Sequence, residues 1–254
     1  MITTFNPGTF TPAPKRSSAG AMLLAQGTME AKLMLRHGEQ QLLSVIIPLA
    51  ILIGAAQLES FTGHGLHEVF PMVLAVAATS AGFTGQAISL AFDRRYGALK
   101  RTGASGVPAW AIIGGKIVGV LTMVVFQILI LGIAAYILGL RISVGGVLLM
   151  LLSLFFGVAA FTTMGLLLGG TLSSEVVLAL ANLIWFLLLG VVGWTLYSQG
   201  LGDNGPLNVV PTVALAGALS DASNSAFPGL EFLSLVGWLA VASFAAVRWF
   251  RFDG

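Results

Sequence analysis

Charge is what this sequence has least of. Only 9% of its 254 residues are Asp, Glu, Lys or Arg, against 57% hydrophobic residues, and the mean hydropathy is +0.95. A soluble domain carries roughly 25% charged residues, so this chain cannot cover a soluble globule. Disorder is excluded on the same ground, because disordered chains are charge-rich and apolar-poor. Cysteine is absent, which removes disulfides, thiolate metal sites and cysteine nucleophiles. The apolar runs hold no series of acids, so they contain no proton relay through buried carboxylates. No Ser/His/Asp set falls at membrane depth to support an intramembrane hydrolase. A phosphate-cradling loop is missing too: Gly114-Gly115-Lys116 is followed by Ile117 where Ser or Thr is required, and Trp110 stands where the first Gly belongs. The chain therefore does not bind ATP by that device.

What is present is a series of long apolar stretches. A membrane-crossing helix needs about 20 mostly apolar residues. Residues 41–58 (interrupted by Pro48), 69–92, 117–140, 144–170, 177–197 and 229–247 qualify. Their continuity favours helices over a barrel, whose strands alternate over about ten residues. The expected fold is an all-α integral membrane protein with six transmembrane helices. No short apolar run ends in a cleavage site within the first 18 residues, so the first span is expected to act as signal anchor.

Lys and Arg orient the chain. With the N-terminus in the cytoplasm, Lys15, Arg16, Lys32, Arg36, Arg94, Arg95, Lys100, Arg101, Lys116, Arg248 and Arg251 all fall inside, and Arg141 alone falls outside. Six spans return the C-terminus to the cytoplasm. The expected location is the cytoplasmic membrane, with many passes.

The expected organisation is a polar tail (1–19), an interfacial helix (20–40), the six-span domain (41–247) and a cytoplasmic tail (248–254). On a 3.6-residue period, Leu23, Leu24, Gly27, Ala31, Met34 and Leu35 share one arc, while Gln26, Thr28, Glu30, Lys32, Arg36 and His37 take the rest. That pattern suits a helix lying in the membrane interface, with Lys32 and Arg36 near lipid phosphates. A solvated helix packed on another domain is the alternative. The long outer segment 198–228 contains an apolar stretch, 209–219, too short to span; it reads as a short or re-entrant helix at the outer surface, buried against the bundle.

Thr79, Ser80, Thr84, Gln86 and Ser89 lie within the second stretch. They either line a translocation path or make interhelical hydrogen bonds. The pairs Gly115/Gly119 and Gly165/Gly169 permit close helix contacts. Lys116, at the start of the third stretch, can snorkel. His64, His67 and Glu68 share an outer loop, as weak metal-ligand candidates or as ordinary loop polarity; no metal is assigned.

The most distinctive segment is the inner loop 93–108, beginning Asp93-Arg94-Arg95-Tyr96-Gly97-Ala98-Leu99-Lys100-Arg101-Thr102. Anchoring by inside cations explains its charge. It does not explain its length or the pattern of Gly97, Leu99 and Thr102. A short helix there could dock in a cleft of a soluble partner.

Three regions together resemble the membrane subunits of type-2 ATP-binding-cassette (ABC) exporters, with the daunorubicin-resistance-like permeases as the nearest group. Glu30 to Gln40, followed by Ile46-Ile47-Pro48-Leu49, resembles that family's elbow helix and proline-bearing first span. Asp93 to Arg101 resembles its coupling helix, on which the ATPase pushes. Arg248-Trp249-Phe250-Arg251-Phe252-Asp253 resembles its cationic aromatic tail. Asp93 stands where Glu is common, and the Thr-Pro pair frequent after the loop glycine is missing.

The resemblance implies a dimer of this subunit, or a pair with a related permease. Two ABC ATPase subunits would bind ATP and Mg; this chain would hold no cofactor and catalyse nothing. The cargo would be a hydrophobic or amphipathic lipid, drug or lipid-linked product, exported through the membrane. Membrane lipid is an expected partner and nucleic acid is not. A non-transporting membrane anchor of an ATPase, or a secondary transporter, remains as the alternative.

Overall fold

The computed structural model describes residues 17–36, 38–104, 106–202 and 204–249. Residues 1–16 of the expected polar tail, His37 and the end of the C-terminal tail lie outside the described residues. Among the described residues there are ten α-helices: α1 (Ala19–Arg36), α2 (Gly38–Thr62), α3 (Leu66–Thr79), α4 (Gln86–Arg95), α5 (Ala98–Ala104), α6 (Ala109–Ile137), α7 (Val144–Thr171), α8 (Ser174–Gln199), α9 (Pro211–Ser223) and α10 (Gly229–Trp249).

The helix boundaries follow local chemistry. The Ser18 hydroxyl accepts from Ala21 N at the start of α1 (3.2 Å), and Ser143 caps α7 by accepting from Gly146 N (3.0 Å). Gly139 follows α6 at φ +107°, and Gly200 follows α8 at φ +79°. Glycine takes these left-handed conformations at no steric cost. A turn at Gly97 (φ +67°) separates α4 from α5.

α3 and α4 are joined by a π-helical turn, Ser80–Gly85, into one 30-residue rod, Leu66–Arg95. This rod is the axis of the bundle: 83% of its apolar window is buried, against 17% for α8. α2, α6, α7, α8 and α9 all pack against it. Packing against α7 is closest. A Cβ on Gly165 would lie 2.6 Å from Phe83 O, and one on Gly169 2.4 Å from Ala87 O, so both glycines serve helix packing, as their spacing predicts.

Among the described residues, five helices are long and apolar enough to cross a membrane: Leu66–Arg95, Trp110–Ile137, Val144–Thr171, Ser174–Gln199 and Gly229–Ala246. The first expected span falls in α2, whose described apolar stretch, Ser44–Glu59, is shorter. The third expected span began after Lys116, whereas α6 runs from Ala109 straight through it; ion pairing neutralises that charge. The apolar outer stretch becomes α9, preceded by a 3-10 turn at Gly205–Val209. α9 packs into the bundle: Pro211 to Leu219 are all buried, between α3, α7, α8 and α10.

α1 docks on α6 through a mixed set of residues. Its buried residues are Gln26, Gly27 and Glu30, while Leu24 is 71% exposed. Leu23, Gly27 and Met34 of the apolar arc meet α6 together with Gln26 and Glu30. The reason is steric and electrostatic. α6 presents Gly114, Gly115 and Gly119, and a Cβ on Gly115 would lie 2.3 Å from Gln26 Cγ. At this close approach Lys116 draws in Glu30.

Candidate coupling site

One end of the bundle gathers α1, the α4–α5 turn, the start of α6 and the α7–α8 turn. Asp93 and Lys116 make the central contact: Lys116 Nζ donates to Asp93 Oδ2 at 2.6 Å and lies 3.3 Å from Glu30 Oε1. The lysine is 1% exposed. A buried ammonium needs paired carboxylates, and here two helices supply one each. This cluster ties α1, the base of the α5 loop and α6 together.

The neighbouring residues fix the other side of the loop. Arg94 Nη1 donates to Gly169 O (2.8 Å) and to Leu172 O (3.1 Å), carbonyls that α7 leaves open at its C-terminus. A cation is also favoured at a helix C-terminus by the backbone dipole. Arg95 Nη1 donates to Glu175 Oε1 at 2.5 Å and to Ser174 Oγ at 3.2 Å. The rod Leu66–Arg95, the second of the expected spans, is thus clamped at its end to α6 on one flank and to the α7–α8 turn on the other.

The remaining loop residues divide by direction. Tyr96 is 64% exposed, and its ring stacks on Phe92. Arg101 Nη1 donates back to Tyr96 O (2.7 Å), bracing the Gly97 turn. Lys100 and Arg101 are exposed. Ala98 and Leu99 instead turn inward and line a cavity of about 500 Å³. That cavity lies between α1, α2, the second span, α5 and α6.

Of the five polar residues in the second span, Ser80 and Ser89 line this cavity. Thr79 is buried and donates to Ala75 O within its own helix (2.7 Å). Gln86 is buried, with Nε2 3.9 Å from Met34 Sδ of α1. Thr84 is buried on the π turn. Lys32 and Arg36 are exposed on α1. The His64 ring bonds Glu68 Oε2 at 2.5 Å and sets its edge against Tyr197 (4.8 Å), while His67 is exposed. No group of three metal-ligating side chains occurs among the described residues.

The sequence reading missed Glu30 as a site residue and gave Lys116 to the interface. A signal was available: an ionisable group inside an apolar helix needs a partner, and Glu30 and Asp93 are among few acids on that side. What the sequence does not hold is which carboxylate reaches it. Gly114–Lys116, examined as a phosphate loop, is part of the continuous helix α6.

The family model described as ABC-2 type transporter matches residues 23–199. No curated protein matches the chain.

Proposed function

Because this chain belongs to the ABC-2 type transporter family, we propose that it is the membrane-spanning permease subunit of an ABC exporter, with α5 as the helix that meets the ATPase. The family is a membrane component that works with ABC ATPase subunits. The finer reading is ours: two ATPase subunits bind ATP and Mg, two permease subunits form the path, and α2 is a sixth span. Both termini lie in the cytoplasm. The cargo is an amphipathic lipid, drug or lipid-linked product. α1 acts as an elbow helix, with Lys32 and Arg36 at lipid phosphates.

One observation supports this reading above the others. α5 sits at the end of the most buried span, and the residues before it are fixed inward. Asp93 binds Lys116 (2.6 Å) and Arg94 binds the end of α7 (2.8 Å). Tyr96 in the turn before it and Lys100 and Arg101 on α5 are exposed. A push on α5 therefore reaches the second span, α6 and α7 through direct bonds. ATP binding shifts the membrane domain only if the ATP-bound ATPases prefer one of its states.

The test is reconstitution with the ATPase that co-purifies. Replacing Tyr96→Ala together with Lys100→Glu is expected to abolish ATP-driven transport into vesicles while assembly of the permease is kept. Transport that survives this change refutes the role of α5. Failure to co-purify any ATPase refutes the permease reading itself, and a bound ATPase without transport supports a regulatory anchor instead.

A further inference from the structure

We propose that the cavity between α1, α2, the second span, α5 and α6 is a binding site, contained within one chain, for a monovalent organic cation with an apolar body. Its volume of about 500 Å³ lies within the range of roughly 300–1,000 Å³ usual for small-molecule sites. Most of the wall is apolar and adaptable: Met29, Leu33, Phe92, Leu99 and Met123 contribute to it. Methionine side chains conform to irregular ligands because they are unbranched and polarisable.

The sign of the ligand follows from the charges. Glu30 and Asp93 both line the cavity, and no Lys or Arg does so among the described residues. Lys116 lies behind them, 1% exposed, and bridges the two carboxylates. Two carboxylates and one ammonium leave one negative charge in excess. The ammonium has three donors, whereas each carboxylate offers about four acceptor positions, so it cannot saturate both. In a partly dehydrated wall such an excess interacts more strongly than in water. An organic cation relieves it; an anion of the same shape is repelled. The hydroxyls of Ser80 and Ser89, which also line the cavity, add neutral polar contacts.

The occupant also touches α5 through Ala98, Leu99 and Thr102. Binding itself does not depend on the transporter reading; only its consequence at α5 does.

The experiment measures equilibrium binding to the purified full chain in detergent, with tetraphenylphosphonium as probe and tetraphenylborate as its anionic counterpart. Saturable binding of the cation and none of the anion is expected. Leu99→Trp narrows the cavity and should weaken cation binding. It leaves the Glu30–Lys116–Asp93 cluster in place, so the fold should survive, as thermal unfolding will show. Glu30→Gln should weaken the cation about tenfold, the change expected when one charge-assisted contact is lost. Displacement of the probe by an aminolipid identifies the natural occupant as a lipid headgroup, and its persistence identifies a soluble amphiphile; either result retains the site. Equal binding of the anion, or unchanged cation affinity in folded Leu99→Trp, overturns the proposal.

Discussion

The two ends of this bundle are held together by different forces. At the α5 end, charges cross between elements: Glu30 and Asp93 on Lys116, Arg94 on the end of α7, Arg95 on Glu175. At the opposite end, neutral groups do most of the linking. Ser143 and Ser225 share a hydrogen bond (2.7 Å), and Trp238 Nε1 donates to Val209 O (2.7 Å). Ser234 donates to Asn208 O. Asn208 Nδ2 donates to Glu231 Oε1 (2.8 Å), the one acid in that set. The buried, apolar α9 fills the space between helices there. A chain with few charges has spent most of its cations at a single end. The lesson is that the charge gradient that orients a membrane protein also builds its tertiary contacts: two of these cations, Arg94 and Lys116, are buried fasteners rather than interfacial anchors.

The comparison is broken most severely at Lys116. Lys116→Met leaves two carboxylates without their partner, and a loss of about 3 kcal/mol is expected from removing one member of a buried ion cluster. The readout is thermal unfolding in detergent. Glu30→Gln added to Lys116→Met should recover part of that loss, because one stranded charge is removed. If the single variant unfolds at the wild-type temperature, the charged end is not held by charge.

The arginines at the two ends offer a matched pair. Arg94→Gln removes charge-assisted bonds to the carbonyls of Gly169 and Leu172, with an expected cost of about 2 kcal/mol. Arg141, at the opposite end, also bonds carbonyls, those of Tyr136 and Leu140. It lies 4.0 Å over the Tyr136 ring but is exposed to solvent. Arg141→Gln should therefore cost below about 1 kcal/mol. Equal costs, read as shifts in unfolding temperature, would remove the distinction between the ends.

The smallest effect concerns Asp221, at the neutral end. Burial first, and then the nearby Glu231 carboxylate, hold Asp221 above the usual carboxylate range. The folded chain therefore binds this proton more tightly than the unfolded chain. Stability from this group rises as pH falls from neutral through its raised value, and levels off below the ordinary value. Asp221→Asn should raise the unfolding temperature slightly at neutral pH and flatten its acid-side slope. A lower unfolding temperature at neutral pH would show that the carboxylate is a net stabiliser.

Much of this fold is legible in one dimension. The stretches 144–170 and 229–247 become α7 and α10 with ends shifted by a residue or two, because membrane crossing is a sum of residue transfer energies over about 20 positions. The glycine pairs on α6 and α7 mark close helix contacts for a similarly local reason: no side chain stands in the way. The α5 loop is visible through its glycine and its dense cations. The errors arise where tertiary contacts change a residue's solvent. Lys116 looks like the edge of a span until its partners cancel its charge. Gln26 and Glu30 look like the wet side of α1 until α6 covers them.

Sequence alone determined the class, the main apolar stretches, the position of the α5 loop and the concentration of cations around it, since hydropathy and charge belong to each residue wherever it packs. Tertiary structure decided which charges are buried, which face of α1 turns inward, and that Leu99 lines a cavity while Tyr96 faces out. Those outcomes depend on distance, and Glu30, Asp93 and Lys116 become neighbours only when α1, α4 and α6 dock. The reason is that an ion pair's energy rises steeply with proximity and with loss of water, and both are properties of the folded chain.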